Sequence, residues 1–313
     1  MFRRIKKKLA WWLIKDLLEE GVPYIKVGRK TVEIRPNAIK FDPLTSDPAL
    51  EPGLLWFRGD TDEWKYSPDG INMKKLAPAE IGMNEQSFTS IGLNSWTVPD
   101  GVRRIFMLIV GGGGGGGSTY EDSAGAGGGG GGEIVFAIGL VEPGETLEIY
   151  VGDGGGSNAD GEHSYVLGKY FYVEALGGKA GGQASGLTGG AGGAGGSGGE
   201  ARGTVVVFRI PGGKGGKGGN SNSTGEPGSP GESVQLGTLT FSGGAGGSAD
   251  GRKAGGGGGG ASFGNGGKGG DGGYNGSPGG AYGGGGGGAS GYPYVGAGRA
   301  GGKGGQGLVR IWW

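Results

Sequence analysis

The sequence predicts a mainly β fold, with an N-terminal α-helix, a β-rich stalk, and a C-terminal β-sandwich-like scaffold that carries a polyglycine II helix bundle. Three observations predict it. Apolar runs with alternating polar partners recur from residue 22 to the end of the sequence. Glycine usage changes abruptly, since only seven of the 89 glycines precede residue 101. The later glycines fall in tracts with a period of three, as in GGAGGAGGSGG at 189–199. The chain accordingly reads as segments 1–21, 22–86 and 87–313.

Residues 1–20, MFRRIKKKLAWWLIKDLLEE, place Ile5, Leu9, Trp12, Leu13, Leu17 and Leu18 at helical spacing. Cations lead and acids follow, against the helix dipole, so an external surface is expected to hold this helix. Its apolar run is too short to span a bilayer, and Lys15-Asp16 interrupts it where a secretory signal would continue. Trp11, Trp12 and Leu13 beside a basic cluster suit a membrane interface or a virion anchor, and the same side chains suit the core of an oligomer.

Residues 22–86 read as short strands. Val32, Ile34, Ala38 and Phe41 alternate with polar partners, and the prolines at 36–52 mark edges and crossings. GLLWFRGDTDEWKYSPDGINMKK at 53–75 reads as a hairpin closed by Pro68-Asp69-Gly70. Pieces this small bury little core alone, so several chains packing together, as in a homotrimer, are expected.

From residue 87 the predicted strands are Ser95–Val110 with a Pro-Asp-Gly turn, Glu133–Leu140, Glu145–Val151, Tyr165–Leu176, Thr204–Ile210, Val234–Ser242 and Leu308–Trp313. Most enter or leave a glycine tract. Collagen would place imino acids between single glycines, whereas here glycine often fills two places in three and only 14 prolines occur in the whole chain. A three-residue-per-turn helix without internal hydrogen bonds points its N–H and C=O groups outward, where neighbouring helices can bond them if no side chain intervenes. Ala191, Ala194, Ser197, Lys214, Lys217, Lys268 and Asp271 then belong on an outer face or at a roomier site. Ordering these glycines costs on the order of tens of kcal/mol more than ordering alanines. Only a lattice that pairs nearly every buried backbone group offsets that; a lone tract would be a flexible linker.

The tracts are joined by segments of different chemistry. STYEDS (118–123), NADGEH (158–163), NSNSTGE (220–226), SADGRK (248–253), YNGS (274–277) and YPY (292–294) hold Tyr, Asn, Ser and Asp, the residues of adaptable recognition loops and also of ordinary soluble turns. The candidate receptor-binding residues are Tyr120, Asn222, Asp250, Tyr274, Asn275, Tyr282, Tyr292 and Tyr294. Tyrosine rings stack on sugars, which makes a glycan a candidate receptor.

Several functions are disfavoured. Twenty-nine basic residues balance 29 acidic ones, so no global field draws nucleic acid. With no cysteine and one histidine, His163, neither a Cys- or His-based metal site nor a nucleophile–His–acid arrangement is specified. His163 reads as an ordinary loop residue. An enzyme and a resident cofactor are therefore not expected.

Trp96-Thr-Val-Pro-Asp-Gly-Val102, the strand to Val110, the glycine run 111–117, PGETLEIYVG at 143–152 and the closing GLVRIWW at 307–313 together resemble the glycine-rich domains of phage and prophage tail-fibre and receptor-binding proteins. The segment 53–75 is similar to β-modules found upstream of such domains. The resemblance implies polyglycine II tip adhesins, commonly trimeric, whose inter-tract loops contact a host surface receptor while the other end joins virion base or tail proteins. It implies a place on the virion surface and assigns no individual binding residue.

Overall fold

The computed structural model describes five short strands before residue 77, then residues 84–313 apart from 121–123, 204, 222–224, 238, 252 and 292–297. The predicted helix at 1–20, with Trp11, Trp12 and Leu13, lies outside the described residues. The described residues are mainly β and contain no helix. The chain divides into two units between residues 82 and 83.

In the first unit, β1 (Tyr24–Val27) pairs antiparallel with β2 (Lys30–Glu33). The predicted hairpin gains a third strand: β3 (Leu54–Arg58) pairs with β4 (Glu63–Ser67), and β4 with β5 (Lys74–Leu76).

The second unit opens with β6 (Glu85–Phe88), β7 (Gly92–Thr97), β8 (Arg104–Val110), β9 (Ile134–Leu140) and β10 (Thr146–Val151). It continues through β11 (Ser164–Leu167), β12 (Phe171–Ala175), β13 (Ala201–Gly203), β14 (Val205–Ile210), β15 (Val234–Leu236), β16 (Leu239–Phe241) and β17 (Leu308–Trp312). β6 pairs with β17 and buries Phe88. Two predicted strands are hairpins. Tyr165–Leu176 breaks at Gly168–Tyr170 into β11 and β12, and Val234–Ser242 turns at Gly237, whose φ of 59° a side chain would resist.

Two five-stranded antiparallel sheets, β14-β9-β8-β17-β6 and β13-β12-β11-β10-β7, share one core. Period-two alternation sends Leu147, Ile149 and Val151 of β10 inward, into the core that also holds Ile105, Met107 and Ile109 of β8. The glycine tracts all leave from one end of this sandwich. Tracts 111–117 and 124–133 prolong the registered pair Val110↔Ile134, and the later tracts continue β10, β12 and β14 and return into β11, β13 and β17.

Four inner tracts, 111–117, 124–133, 254–262 and 283–290, are buried along their length. Side chains occur only near their ends; the interiors are glycine alone. Between its end residues each inner tract bonds laterally to six neighbours, donating to three and accepting from three. Gly111, Gly114 and Gly117 donate to one neighbour, at Glu133, Gly130 and Gly127; Gly112 and Gly115 donate to a second, and Gly113 and Gly116 to a third. Three-residue steps thus select one neighbour each. The outer tracts put their non-glycine residues toward solvent: Ala191, Ala194, Ser197, Lys214, Lys217 and Lys268 are exposed and Asp271 is half-buried. Exposed pairs such as Lys303–Asp153 and Lys179–Asp160, both 2.8 Å, bridge adjacent outer tracts. Such pairs add only about 0–1 kcal/mol each.

Glu133 joins bundle to sandwich. Its side chain is 1 % exposed; Oε1 accepts from Gly198 N and Arg209 Nη1, both at 3.1 Å, and Oε2 accepts from Leu176 N and Gly199 N at 3.0 and 3.1 Å.

Candidate functional site

Because the tracts alternate in direction, their reversals fall at two ends. At the end away from the sandwich, the described residues of the reversals meet: 118–120 and 124, 183–188, 220–221 and 225, 249–251 and 253, 271–276, 290–291 and 298–300. Backbone bonds cross-link them: Thr119 and Arg299 exchange two bonds, Ala124 N donates to Gly186 O, Ser221 N to Leu187 O and Gly291 N to Ala254 O. Side chains complete the network. Thr119 Oγ1 donates to Ser290 O at 3.0 Å, and Ser290 Oγ accepts from the amides of Gly273 and Tyr274, each at 2.7 Å. Asn158, at φ 62°, binds Ser118 through both amide atoms, at 2.8 Å to its N and 2.7 Å to its Oγ. Short loops tied at this density present side chains with little ordering cost on binding.

The sequence-predicted residues divide. Tyr120 and Tyr274 are 64 % and 70 % exposed on this end face. Asp250 is also there, its carboxylate 3.6 Å from Lys253 Nζ. Asn275 is there too, but its Oδ1 accepts from Ala300 N at 3.1 Å, which makes it a strut of the loop. Asn222, Tyr292 and Tyr294 lie outside the described residues. Tyr282 does not belong with them. It occupies the reversal at 281–283 next to the sandwich, where Gly283 N donates to Gln306 O and a Cβ on Gly283 would lie 2.7 Å from Gly111 O. Its φ of 68° belongs to that tight turn.

The sequence reading missed Leu187, 68 % exposed on the same face as Tyr120 and Tyr274. The signal was present, because QASGLT at 183–188 interrupts the tract period as the other loops do. It was overlooked because it contains no aromatic residue. His163 is more than an ordinary loop residue: its Nδ1 lies 3.1 Å from Glu174 Oε1, and its ring packs on Tyr150 and Tyr165.

Asp271 anchors one margin of the face. Lys268 Nζ at 2.7 Å, Ser248 N and Ser248 Oγ hold its carboxylate well below the usual aspartate value, at about 2. A depressed acid pKa means stability present above pH 3.8 and lost as pH falls toward 2. Carboxyl NMR titration is expected to place the Asp271 midpoint near 2, with the Ser248 amide shifting in step. A midpoint near the ordinary 3.8 would mean these bonds are absent in solution.

Among the described residues no three His, Cys, Asp or Glu side chains gather as metal ligands, and no helix is long and apolar enough to cross a membrane. A family model described as a glycine-rich domain matches residues 89–313. No curated protein matches the chain.

Proposed function

This chain belongs to the glycine-rich domain family, and from that premise we propose that it is a viral tail-fibre or spike protein that attaches the virion to a host cell. The gathering of the tract-joining loops at one end, with Tyr120, Leu187 and Tyr274 exposed among them, carries this reading. The tracts form a polyglycine II bundle that works as a stiff support, the loops are the adhesive tip, and the β-rich segment before residue 83 is the stalk. The partner is a host surface receptor, with a glycan among its candidates. The protein is a binder and not an enzyme, and it takes no cofactor.

A homotrimer would present three such tips, and weak contacts would multiply through effective concentration. The helix at 1–20 would join the particle through virion base or tail proteins, or through a membrane surface contacted by Trp11, Trp12 and Leu13. Nucleic acid has no part in this reading.

Immunogold imaging with antibody to residues 87–313 tests the placement. Gold at particle or fibre ends is the expected result; gold along cell envelopes or free filaments, with particles bare, would replace adhesion with a structural role at the cell surface. The tip is tested by Tyr120→Ala with Tyr274→Ala, and separately by Tyr292→Ala with Tyr294→Ala. Cell binding should weaken about tenfold or more where aromatic anchors carry the contact, with an unchanged unfolding midpoint. A pair that leaves binding unaltered is removed from the site.

A further inference from the structure

A second surface, on the side of the unit, combines aromatic and polar groups in one groove. Tyr150 of β10 and Tyr165 of β11 are registered partners whose rings stack at 5.4 Å with 8° between planes, and Tyr172 of β12 follows at 5.6 Å. Tyr165 and Tyr172 form a cross-strand ladder within the sheet. Tyr150 has a further setting: with His163, edge to face at 5.6 Å, it lines a groove of about 570 Å³. Gly177, Gly195 and Gly196 also line it, so a ligand can approach bare backbone there.

The polar groups of the groove are fixed in advance. Glu162 Oε2 accepts from Tyr150 OH at 2.9 Å and from Asp153 N at 3.1 Å. Asp160 accepts from Lys179 Nζ and Ala180 N, both at 2.8 Å. Glu174 holds His163. A carboxylate has about four acceptor positions, so Glu162 and Asp160 each retain unused lone pairs directed by neighbours already in place. Surplus acceptors beside a half-buried tyrosine ring call for a ligand with many hydroxyl donors and an apolar C–H face. Two carboxylates against one ammonium oppose a ligand that is itself anionic.

We propose that this groove binds a neutral saccharide, its hydroxyls donating to Glu162 and Asp160 and its ring lying against Tyr150 and His163. The site is separate from the loop end and stands whether or not the tip binds a host.

Saturation-transfer NMR on the full chain tests it, with neutral oligosaccharides of glucose, galactose and N-acetylglucosamine as probes and sialyl-lactose as the acidic control. Ala194 is exposed and lines the groove, so Ala194→Trp fills the space without entering the lattice. Transfer is expected to at least one neutral probe and weaker to sialyl-lactose. Affinity should fall at least about tenfold in Ala194→Trp, and should hold in Tyr120→Ala with Tyr274→Ala. If the tryptophan variant fails to fold, the exposed His163→Ala replaces it with the same expected loss. Absence of transfer to every neutral probe, preference for sialyl-lactose, or full affinity in the groove variant would overturn the assignment. Loss of cell binding in the tip variant with saccharide binding intact separates the two sites.

Discussion

Gly114→Ala is expected to destabilise the unit 83–313 by at least about 4 kcal/mol, whereas Gly156→Ala should leave it unchanged or raise its stability by about 0.4–1 kcal/mol. Both replace glycine by the smallest side chain. At Gly114 the new Cβ would lie 2.1 Å from Lys179 O and 2.5 Å from its carbonyl carbon. No rotamer relieves this, since the clash is between Cβ and backbone. The tract cannot shift, because Gly114 N donates to Gly130 O while its own carbonyl accepts from Gly286 N. Moving away from one neighbour breaks bonds to others. At Gly156 nothing lies within 4 Å, so the alanine only restricts the unfolded chain. Denaturant unfolding of the two variants compares them directly. Equal behaviour would mean that the tracts pack less closely than 2.1 Å implies.

Glu133→Ala is expected to cost about 3–5 kcal/mol, the usual penalty for breaking a buried charge pair by removing one partner. The substitution leaves Arg209, whose Nη2 already has no hydrogen-bond partner among the described residues, with only the Glu174 carbonyl at 2.8 Å, and it strands the amides of Leu176, Gly198 and Gly199. Glu133→Gln should recover only part of the loss. Each carboxylate oxygen accepts from two donors, so an amide NH2 in either place faces donors alone, and each orphaned buried group costs roughly 1–3 kcal/mol. Thermal unfolding of the alanine, glutamine and parent proteins orders them. A glutamine variant as stable as the parent would show that Glu133 is not the four-bond joint described above.

Much of this was legible in the sequence, for particular reasons. GGKGGKGG at 212–219 repeats every three residues because three-residue steps return a tract to the same neighbour, and Lys214 and Lys217 are where the repeat meets solvent. β10 was legible because its alternation meets a two-sided sheet. The β11–β12 hairpin was not, since Tyr165 to Leu176 alternates through the turn and only Gly168 marks it. Tyr282 was misplaced because a tyrosine between glycines looks alike at either end. Counting reversals would have found it, since the turn at 271–274 is distal and the next must return to the sandwich. Leu187 shows the complementary gap, where a loop was passed over for lacking the residue type sought.

Residue-resolved amide hydrogen exchange on the native protein tests the central claim, an ordered lattice of glycine tracts. In the inner tract, every amide from 125 to 132 donates to a neighbouring backbone carbonyl, at 2.8–2.9 Å. These should exchange together and slowest, through global unfolding. In the outer tract the amides of Gly190, Gly193 and Gly196 are bonded to the backbone of the inner one, while those of Ala191, Gly192, Ala194 and Gly195 donate to no backbone carbonyl among the described residues. Protection at every third residue across 190–196, beside unbroken protection across 125–132, is the predicted result. Exchange at unstructured-chain rates through 125–132, or outer protection without that period, would contradict the lattice and leave the glycines as flexible chain.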